Sequence, residues 1–228
     1  MTVKFFDSFR GEGEAIAGTM PAIGPRVAYA KQGGTNPVRT PDGYRPSRTQ
    51  DYAGLWFNLD GAADLGVGRE YDITFKLTLG PDIGSVIPLE MTLNARLIET
   101  PTNDPPPSHG FNVRFRTEDG RIYVRLRHGD AFGNPGGTTE AFTAHRGAGV
   151  YDVSLRVFDA GMDLTLSRED MAFRQDFALR QSTLDAENLF SLMLDISNNA
   201  NSAVADFQIG PSVADAPFWQ AFKLTAER

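Results

Sequence analysis

Cysteine is absent from this chain of 228 residues. Without thiols the chain can form no disulfide scaffold, no thiolate zinc site and no cysteine nucleophile. Long apolar runs are missing too, since no window approaches the roughly 20 residues that a membrane-spanning helix needs. The N-terminal residues reach an acid at Asp7, too early for a secretory signal. We therefore expect a chain that folds in the cytoplasm and does not insert into a membrane.

Positive charge is in deficit as well. The chain has 22 Lys and Arg against 29 Asp and Glu, which gives a net charge of −7. General nucleic-acid binding needs a basic surface, so we expect no nucleic-acid partner. Three histidines occur without the spacing of metal ligands: His109, His128 and His145.

The chain does have strong β-strand patterning. A hydrophobic content of 41% excludes wholesale disorder, and period-2 alternation dominates over helical periodicity. The predicted strands are residues 3–9, 53–59, 71–79, 88–99, 111–117, 121–127, 150–158, 162–166, 171–177, 189–196 and 203–209. One apolar face on each strand predicts an all-β fold, a two-sheet antiparallel β-sandwich forming a single domain over residues 1–228. Trp56, between Leu55 and Phe57, is predicted to lie in the core.

Two short segments have helical features, residues 182–188 and 214–226. The second belongs to a C-terminal segment, 214–228, that carries Phe218, Trp219 and Phe222. Chain ends usually need anchoring, so this segment is expected to cap one end of the sandwich or to dock onto a partner chain.

Two connections are long for a tightly turned chain, residues 31–52 and 128–149. Loops of this length often carry function, although they can also wrap a sheet edge. The first contains Tyr44 and Arg45, an aromatic residue next to a cation. We therefore include these two residues among the candidates for ligand binding.

Four segments resemble strands of one superfamily. Phe6-Asp7-Ser8-Phe9, followed by a glycine-rich turn, is similar to the first strand of concanavalin A-like jelly rolls. Residues 204–211 (VADFQIGP) resemble their last strand, and 71–75 (YDITF) and 151–157 (YDVSLRV) resemble central strands. The superfamily comprises lectins, laminin-G-like modules and polysaccharide-degrading enzymes. The resemblance implies a curved jelly-roll sandwich whose concave sheet or rim loops hold glycans, frequently with a structural calcium ion.

The hairpin of residues 111–127 can be registered from the sequence. Asp119-Gly120 is a two-residue turn signal, which pairs Glu118 with Arg121. Counting back from this turn separates the residues cleanly into two faces. The apolar face consists of Val113, Phe115, Ile122, Val124 and Leu126. The other face consists of Asn112, Arg114, Arg116, Arg121, Tyr123, Arg125 and Arg127.

Five arginines share this second face, and Arg114 stands directly opposite Arg125. Like charges in direct opposition destabilise a strand pair unless an anion lies between them. Glu90 and Asp152 on adjacent strands would supply that anion internally. An acidic ligand would supply it from outside, because guanidinium forks fit carboxylate and sulfate groups. The predicted glycan-binding residues are Asn112, Arg114, Arg116, Tyr123, Arg125 and Arg127, with Tyr44 and Arg45.

Catalytic patterns of the superfamily are largely missing. The Glu-x-Asp-x-Glu strand of its retaining glucanases does not occur, nor does the Gln-x-His strand of its alginate lyases. A lyase remains an alternative in which Tyr123 or His128 abstracts a proton from a uronate. Arg125 and Asn112 would then neutralise the uronate carboxylate.

The turn after the predicted strand 189–196 offers oxygen ligands. Asp195, Asn198 and Asn199 lie close together in sequence there, as calcium ligands do. Turns rich in Asn and Asp also form without a metal. Ca²⁺ is therefore a candidate cofactor and is not firmly implied.

The expected function is non-catalytic carbohydrate binding. Glycan-binding jelly rolls are mostly exported, yet this chain lacks both cysteine and a secretion signal. A phage or phage-like particle resolves this conflict, because its parts fold in the cytoplasm and leave by lysis. We expect a head spike, tail fibre or decoration subunit that adheres to host surface polysaccharide and contacts other subunits or copies of itself. The alternatives are a polysaccharide lyase or hydrolase and a purely assembly-related jelly roll.

Overall fold

The computed structural model describes residues 3–24, 28–32, 37–46, 52–58, 71–80, 90–96, 110–118, 121–129, 135–158, 161–168, 173–179, 191–197 and 202–211. These ranges contain strands and no helix. The strands are β1 (Phe5–Asp7), β2 (Ala30–Gln32), β3 (Pro37–Thr40), β4 (Gly43–Pro46), β5 (Tyr52–Asn58), β6 (Tyr71–Leu79), β7 (Glu90–Arg96), β8 (Gly110–Glu118), β9 (Arg121–Gly129), β10 (Pro135–Arg146), β11 (Gly149–Phe158), β12 (Gly161–Arg168), β13 (Phe173–Leu179), β14 (Ser191–Ser197) and β15 (Ala203–Pro211).

The strands form two antiparallel sheets. Sheet A has the order β13-β12-β11-β6-β15-β4-β3, and β1 also pairs with β15. Sheet B has the order β10-β9-β8-β7-β14-β5-β2. Many neighbours within a sheet are distant in sequence, as in a jelly roll. The all-β, two-sheet fold predicted from the alternation is confirmed.

The eleven predicted strands are all present, and β6 has the predicted bounds. Four further strands, β2, β3, β4 and β10, lie in the segments predicted to be long connections. The strands β3 and β4 have four residues each, too few to show an alternation. In 128–149 the sequence predicts at most one short strand, near Ala141, and β10 extends over 12 residues around that position. Its Gly-rich start and position at the sheet edge leave little apolar pattern to detect.

Aromatic side chains join the two sheets across the core. Phe75 of β6 stacks on Phe207 of β15 with ring centroids 5.6 Å apart. The edge of the Phe75 ring also meets Phe115 of β8, in sheet B, at 6.2 Å. All three side chains are buried. These contacts identify the face of sheet B that packs against sheet A.

The two ends of the described chain meet in sheet A. Phe5 of β1 pairs with Ile209 of β15, as the resemblance to jelly rolls implied, and the Lys4 amide donates to the Ile209 carbonyl at 3.0 Å. The predicted helices 182–188 and 214–226 lie outside the described residues. Within the described residues, no helix is long and apolar enough to cross a membrane.

Candidate functional site: the arginine face of sheet B

The strands β8 and β9 form the hairpin in the predicted register. Glu118 pairs with Arg121, and Arg114 pairs with Arg125. On the predicted apolar face, Phe115, Ile122 and Val124 are fully buried. The prediction of this hairpin is confirmed residue by residue.

The register also shows which side of the sheet carries the arginine positions. Phe115 contacts Phe75 of sheet A, so its side of β8 faces the interior. Successive strand residues alternate between faces, and the arginine positions therefore belong to the face turned away from sheet A. We call this surface the arginine face. Its hairpin positions away from the turn are Asn112, Arg114, Arg116, Tyr123, Arg125 and Arg127, and Arg121, paired with Glu118 at the turn end, lies on the same face.

Pairing with the neighbouring strands places carboxylates beside two of these arginines. Glu90 of β7 pairs with Arg116, and Glu140 of β10 pairs with Arg125. Glu90 is also diagonal to Arg114, and Glu140 is diagonal to Arg127. Diagonal neighbours lie about 7–8 Å apart, within reach of long side chains.

The neighbours of Arg114 and Arg127 on the flanking strands β7 and β10 are uncharged. Arg114 pairs with Thr92 of β7, and Arg127 pairs with Thr138 of β10. Across β7 to β10, the three rows therefore hold four arginines and two glutamates, a local charge of 4 − 2 = +2. The two glutamates thus balance half of the positive charge of the four arginines.

Asp152, the other predicted internal partner, lies in sheet A. It pairs along β11 with Lys76 of β6, and the Lys76 Nζ lies 2.9 Å from its carboxylate. The suggestion that Asp152 neutralises the arginines was therefore wrong. Membership of a sheet depends on long-range pairing, which the local alternation does not reveal.

Tyr44 and Arg45 do not join the arginine face. Both belong to β4 of sheet A. Tyr44 is fully buried, 6.0 Å from the Phe9 ring, which leaves it no surface for a ligand. The Arg45 guanidinium lies 2.5 Å from Asp42 in the turn between β3 and β4. The assignment of Tyr44 to a binding site was therefore wrong, and that of Arg45 stays a prediction outside the arginine positions of sheet B.

Arg39, another cation of the same connection, is held by a buried carboxylate. Its guanidinium donates to both oxygens of Asp7, at 2.6 and 2.9 Å. Asp7 is 2% exposed and also accepts from the Tyr29 hydroxyl and the Phe9 amide, each at 2.9 Å. Burial raises the pKa of Tyr29, and the adjacent Asp7 raises it further. This cluster fixes β1 to β3 and has a structural role.

The predicted calcium ligands are only partly described. Asp195 lies within β14, paired with Gly54 on one side and Thr92 on the other, and Asn198 and Asn199 lie outside the described residues. The described residues contain no group of three acidic or histidine side chains that could hold a metal ion. The structure thus assembles no calcium site around Asp195 in the part that it describes.

The pairing also assigns His128 and Trp56 to rows of sheet B. His128 pairs with Phe111, in the set of positions that face sheet A, so it does not share a face with Arg125. Trp56 pairs with Met193 of β14, whose row continues through Asn94 of β7 to Asn112 and Arg127. Its row is therefore the one that the alternation assigns to the face turned away from sheet A, and its prediction as a core residue stays a prediction.

Comparison with known proteins identifies the fold. No protein-family model and no curated protein matches the chain. The VIP36 exoplasmic/lumenal domain, in the form bound to Ca²⁺ and mannose, superposes with a TM-score of 0.61 and 9% identity, over 93% of this chain and 92% of that one. The legume lectin-like domain from Entamoeba histolytica gives 0.56 and 9%, over 81% and 90%.

A third similar structure is the CBM2 module of the evolved Dit of Lactobacillus casei BL23 phage J-1. It has a TM-score of 0.54 and 8% identity, over 79% of this chain and 80% of that chain. Together these likenesses show that the chain has the concanavalin A-like lectin fold. At such identities they establish the fold alone.

Proposed function

We propose that this protein binds carbohydrate without catalysing its cleavage and that its ligand is an acidic polysaccharide lying on the arginine face. The observation that carries the proposal is the direct pairing of Arg114 with Arg125 in a face with a local charge of +2. An opposed pair of cations is unfavourable in the free protein. An anionic ligand between them would turn that cost into binding energy.

The residue types on this face suit a charged sugar polymer. Arginine presents a planar donor fork that matches a carboxylate or a sulfate, and such charge-assisted hydrogen bonds are about twice as strong as neutral ones. Tyr123 pairs directly with Phe142 of β10, so two aromatic residues adjoin the arginines. Aromatic rings supply apolar area for the apolar side of a sugar ring.

We further propose that the setting is a phage-like particle, with the protein as a head spike, tail fibre or decoration subunit at the particle surface. The fold likeness to a module of a phage Dit supports this setting. The absence of cysteine suits a protein that folds in a reducing cytoplasm and leaves by lysis. Surface polysaccharide of the host, other particle subunits and copies of this chain would be the partners.

A polysaccharide panel tests the binding proposal. The panel contains alginate, hyaluronan, polygalacturonate and bacterial capsular polysaccharides, with dextran as the neutral comparator. The intact protein should bind acidic members and lose most of that binding in the Arg114→Ala/Arg125→Ala variant. Arg10→Ala is the matched control, because Arg10 is an exposed cation of the sheet A side paired with Asp206. Absence of binding to every acidic polysaccharide would contradict the proposal.

A polysaccharide lyase is the second candidate function. Tyr123, Arg125 and Asn112 share the arginine face, which keeps a proton acceptor, a carboxylate partner and a polar group together. Elimination creates a conjugated double bond, so incubation with the same uronate polymers and ultraviolet absorbance measurement separates the two functions. A rise in absorbance that Tyr123→Phe abolishes would favour the lyase.

Calcium is tested separately. VIP36 was described in Ca²⁺-bound forms, and the residues proposed here are Asp195, Asn198 and Asn199. If they hold a calcium ion that supports binding, EDTA should abolish polysaccharide binding and added calcium should restore it. Binding unaffected by EDTA would exclude a calcium ion held by this set.

A further inference from the structure

The arginine face continues well beyond the hairpin. Its rows run from β10 through β9, β8, β7 and β14 to β5. On β5 the row positions are Tyr52, Gly54 and Trp56, which pair with Ser197, Asp195 and Met193 of β14. Ala53, between Tyr52 and Gly54, lies in the same row as buried Phe115. Because successive residues of a strand alternate between faces, Tyr52, Gly54 and Trp56 belong to the face turned away from sheet A.

The β5 positions combine features of a sugar-binding slot. Gly54 has no side chain and stands between two aromatic residues on the same face. Glycine inside a strand often marks a place where a ligand approaches the backbone closely. Gly54 is paired with Asp195 of β14 on one side and with Gln32 of β2 on the other. A carboxylate and an amide are suitable partners for sugar hydroxyl groups.

This group is separate from the arginines but shares their surface. Strands β8 and β5 are three strand spacings apart, about 14 Å at about 4.8 Å for each spacing. One sugar ring cannot contact both groups at that separation. A polysaccharide chain lying across the strands can.

We propose that Tyr52, Gly54, Trp56 and Asp195 form a second subsite, which holds an uncharged sugar ring of the polymer whose acidic residue contacts Arg114 and Arg125. The inference rests on the proposed function and deepens it. The ligand is then an internal stretch of a linear acidic polysaccharide containing neutral sugars, not a terminal sugar. Trp56 supplies the stacking surface and Asp195 accepts from ring hydroxyls.

The experiment compares short and long oligomers cut from the acidic polysaccharides of the panel. Wild-type affinity should rise with oligomer length until the oligomer reaches both subsites. Trp56→Ala should lose about tenfold or more of the affinity for long oligomers and little for the shortest acidic ones. Trp56→Phe should retain part of the affinity, and thermal melting of both variants checks that they fold.

A fluorescence measurement gives a readout that a purely structural role of Trp56 would not produce. The chain has two tryptophans, so a Trp219→Phe background leaves Trp56 as the only one. Long oligomers should change its emission at saturation, and the shortest ones should not. The emission also decides the matter if Trp56→Ala fails to fold.

The outcomes separate this inference from the proposed function. If Trp56→Ala binds long oligomers like wild type while Arg114→Ala/Arg125→Ala loses them, the second subsite is wrong and the arginine site stands. Emission of Trp56 unaffected by long oligomers leads to the same conclusion. If wild type binds no acidic polysaccharide at all, both proposals fail together.

Discussion

Replacing Arg114 by Gln should stabilise the free protein slightly while weakening its binding to acidic polysaccharide. The register puts residue 114 directly opposite Arg125, where Cβ atoms are about 4.5–5.5 Å apart. Two unit charges about 5 Å apart repel by about 0.8 kcal/mol in water. Glu140 opposite Arg125 and Glu90 diagonal to Arg114 offset part of this repulsion. The expected gain in unfolding free energy is therefore at most about 0.8 kcal/mol.

The same substitution should cost binding energy. Hydrogen bonds to charged groups contribute about 1.5–3 kcal/mol each, so Arg114→Gln should weaken the affinity by roughly tenfold to a hundredfold. The opposite signs of the two effects distinguish a ligand-binding arginine from one that only holds the sheet together.

Thermal denaturation in low and high salt is the assay for the stability change. A gain of about 0.8 kcal/mol raises the Tm by less than about 4 °C for a chain of this size. Because salt screens repulsion, the Tm of the wild type should rise between low salt and 1 M NaCl, where the screening length falls to about 3 Å. The variant should respond less. A loss of more than about 2 kcal/mol in Arg114→Gln would refute the reasoning, since Arg114 would then belong to an internal salt-bridge lattice.

Three further predictions concern stability. Arg39→Met should lower the unfolding free energy by about 3–5 kcal/mol, because it leaves the buried carboxylate of Asp7 without its cation; urea denaturation beside Arg10→Met, which breaks an exposed pair and should lose about 1 kcal/mol or less, checks this. Gly43→Ala should lower the Tm strongly, since Gly43 has φ +123° and an added Cβ would overlap the Val204 carbonyl of β15. The contribution of Tyr29 to stability should be constant below about pH 10 and fall above it, because the raised pKa of Tyr29 keeps the folded tyrosine protonated while the unfolded one ionises. Tyr29→Phe should make that alkaline decline shallower in pH-dependent melts, and an unchanged slope would contradict the assignment.

The local part of the fold was predictable because its signals are local. The Asp119-Gly120 turn and a clean alternation define the register of β8 with β9, and that register is observed. The strand β6 alternates over nine residues and was bounded correctly. The short strand β3 was missed and the edge strand β10 was predicted too short, since a few residues or a Gly-rich stretch carry little alternation.

The composition of the arginine face was less predictable. Glu140 is paired with Arg125 through β10, a strand longer than the short one that the sequence predicts near Ala141. The face of Trp56 follows from the pairing of β5 with β14, residues that lie far apart in the sequence. Tyr44 adjoins Arg45 on an edge hairpin, and its complete burial depends on packing against the N-terminal loop around Phe9. Such long-range pairing and packing cannot be deduced from local periodicity.

The most direct test of the account is the affinity of the intact protein for acidic against neutral polysaccharide, measured for wild type and for Arg114→Ala/Arg125→Ala. We predict that wild type binds at least one acidic polysaccharide, that it discriminates against dextran, and that the double substitution removes this discrimination while Arg10→Ala preserves it. Equal binding of the acidic polysaccharide by wild type and by the double variant would contradict the central claim that the arginine face is the binding site.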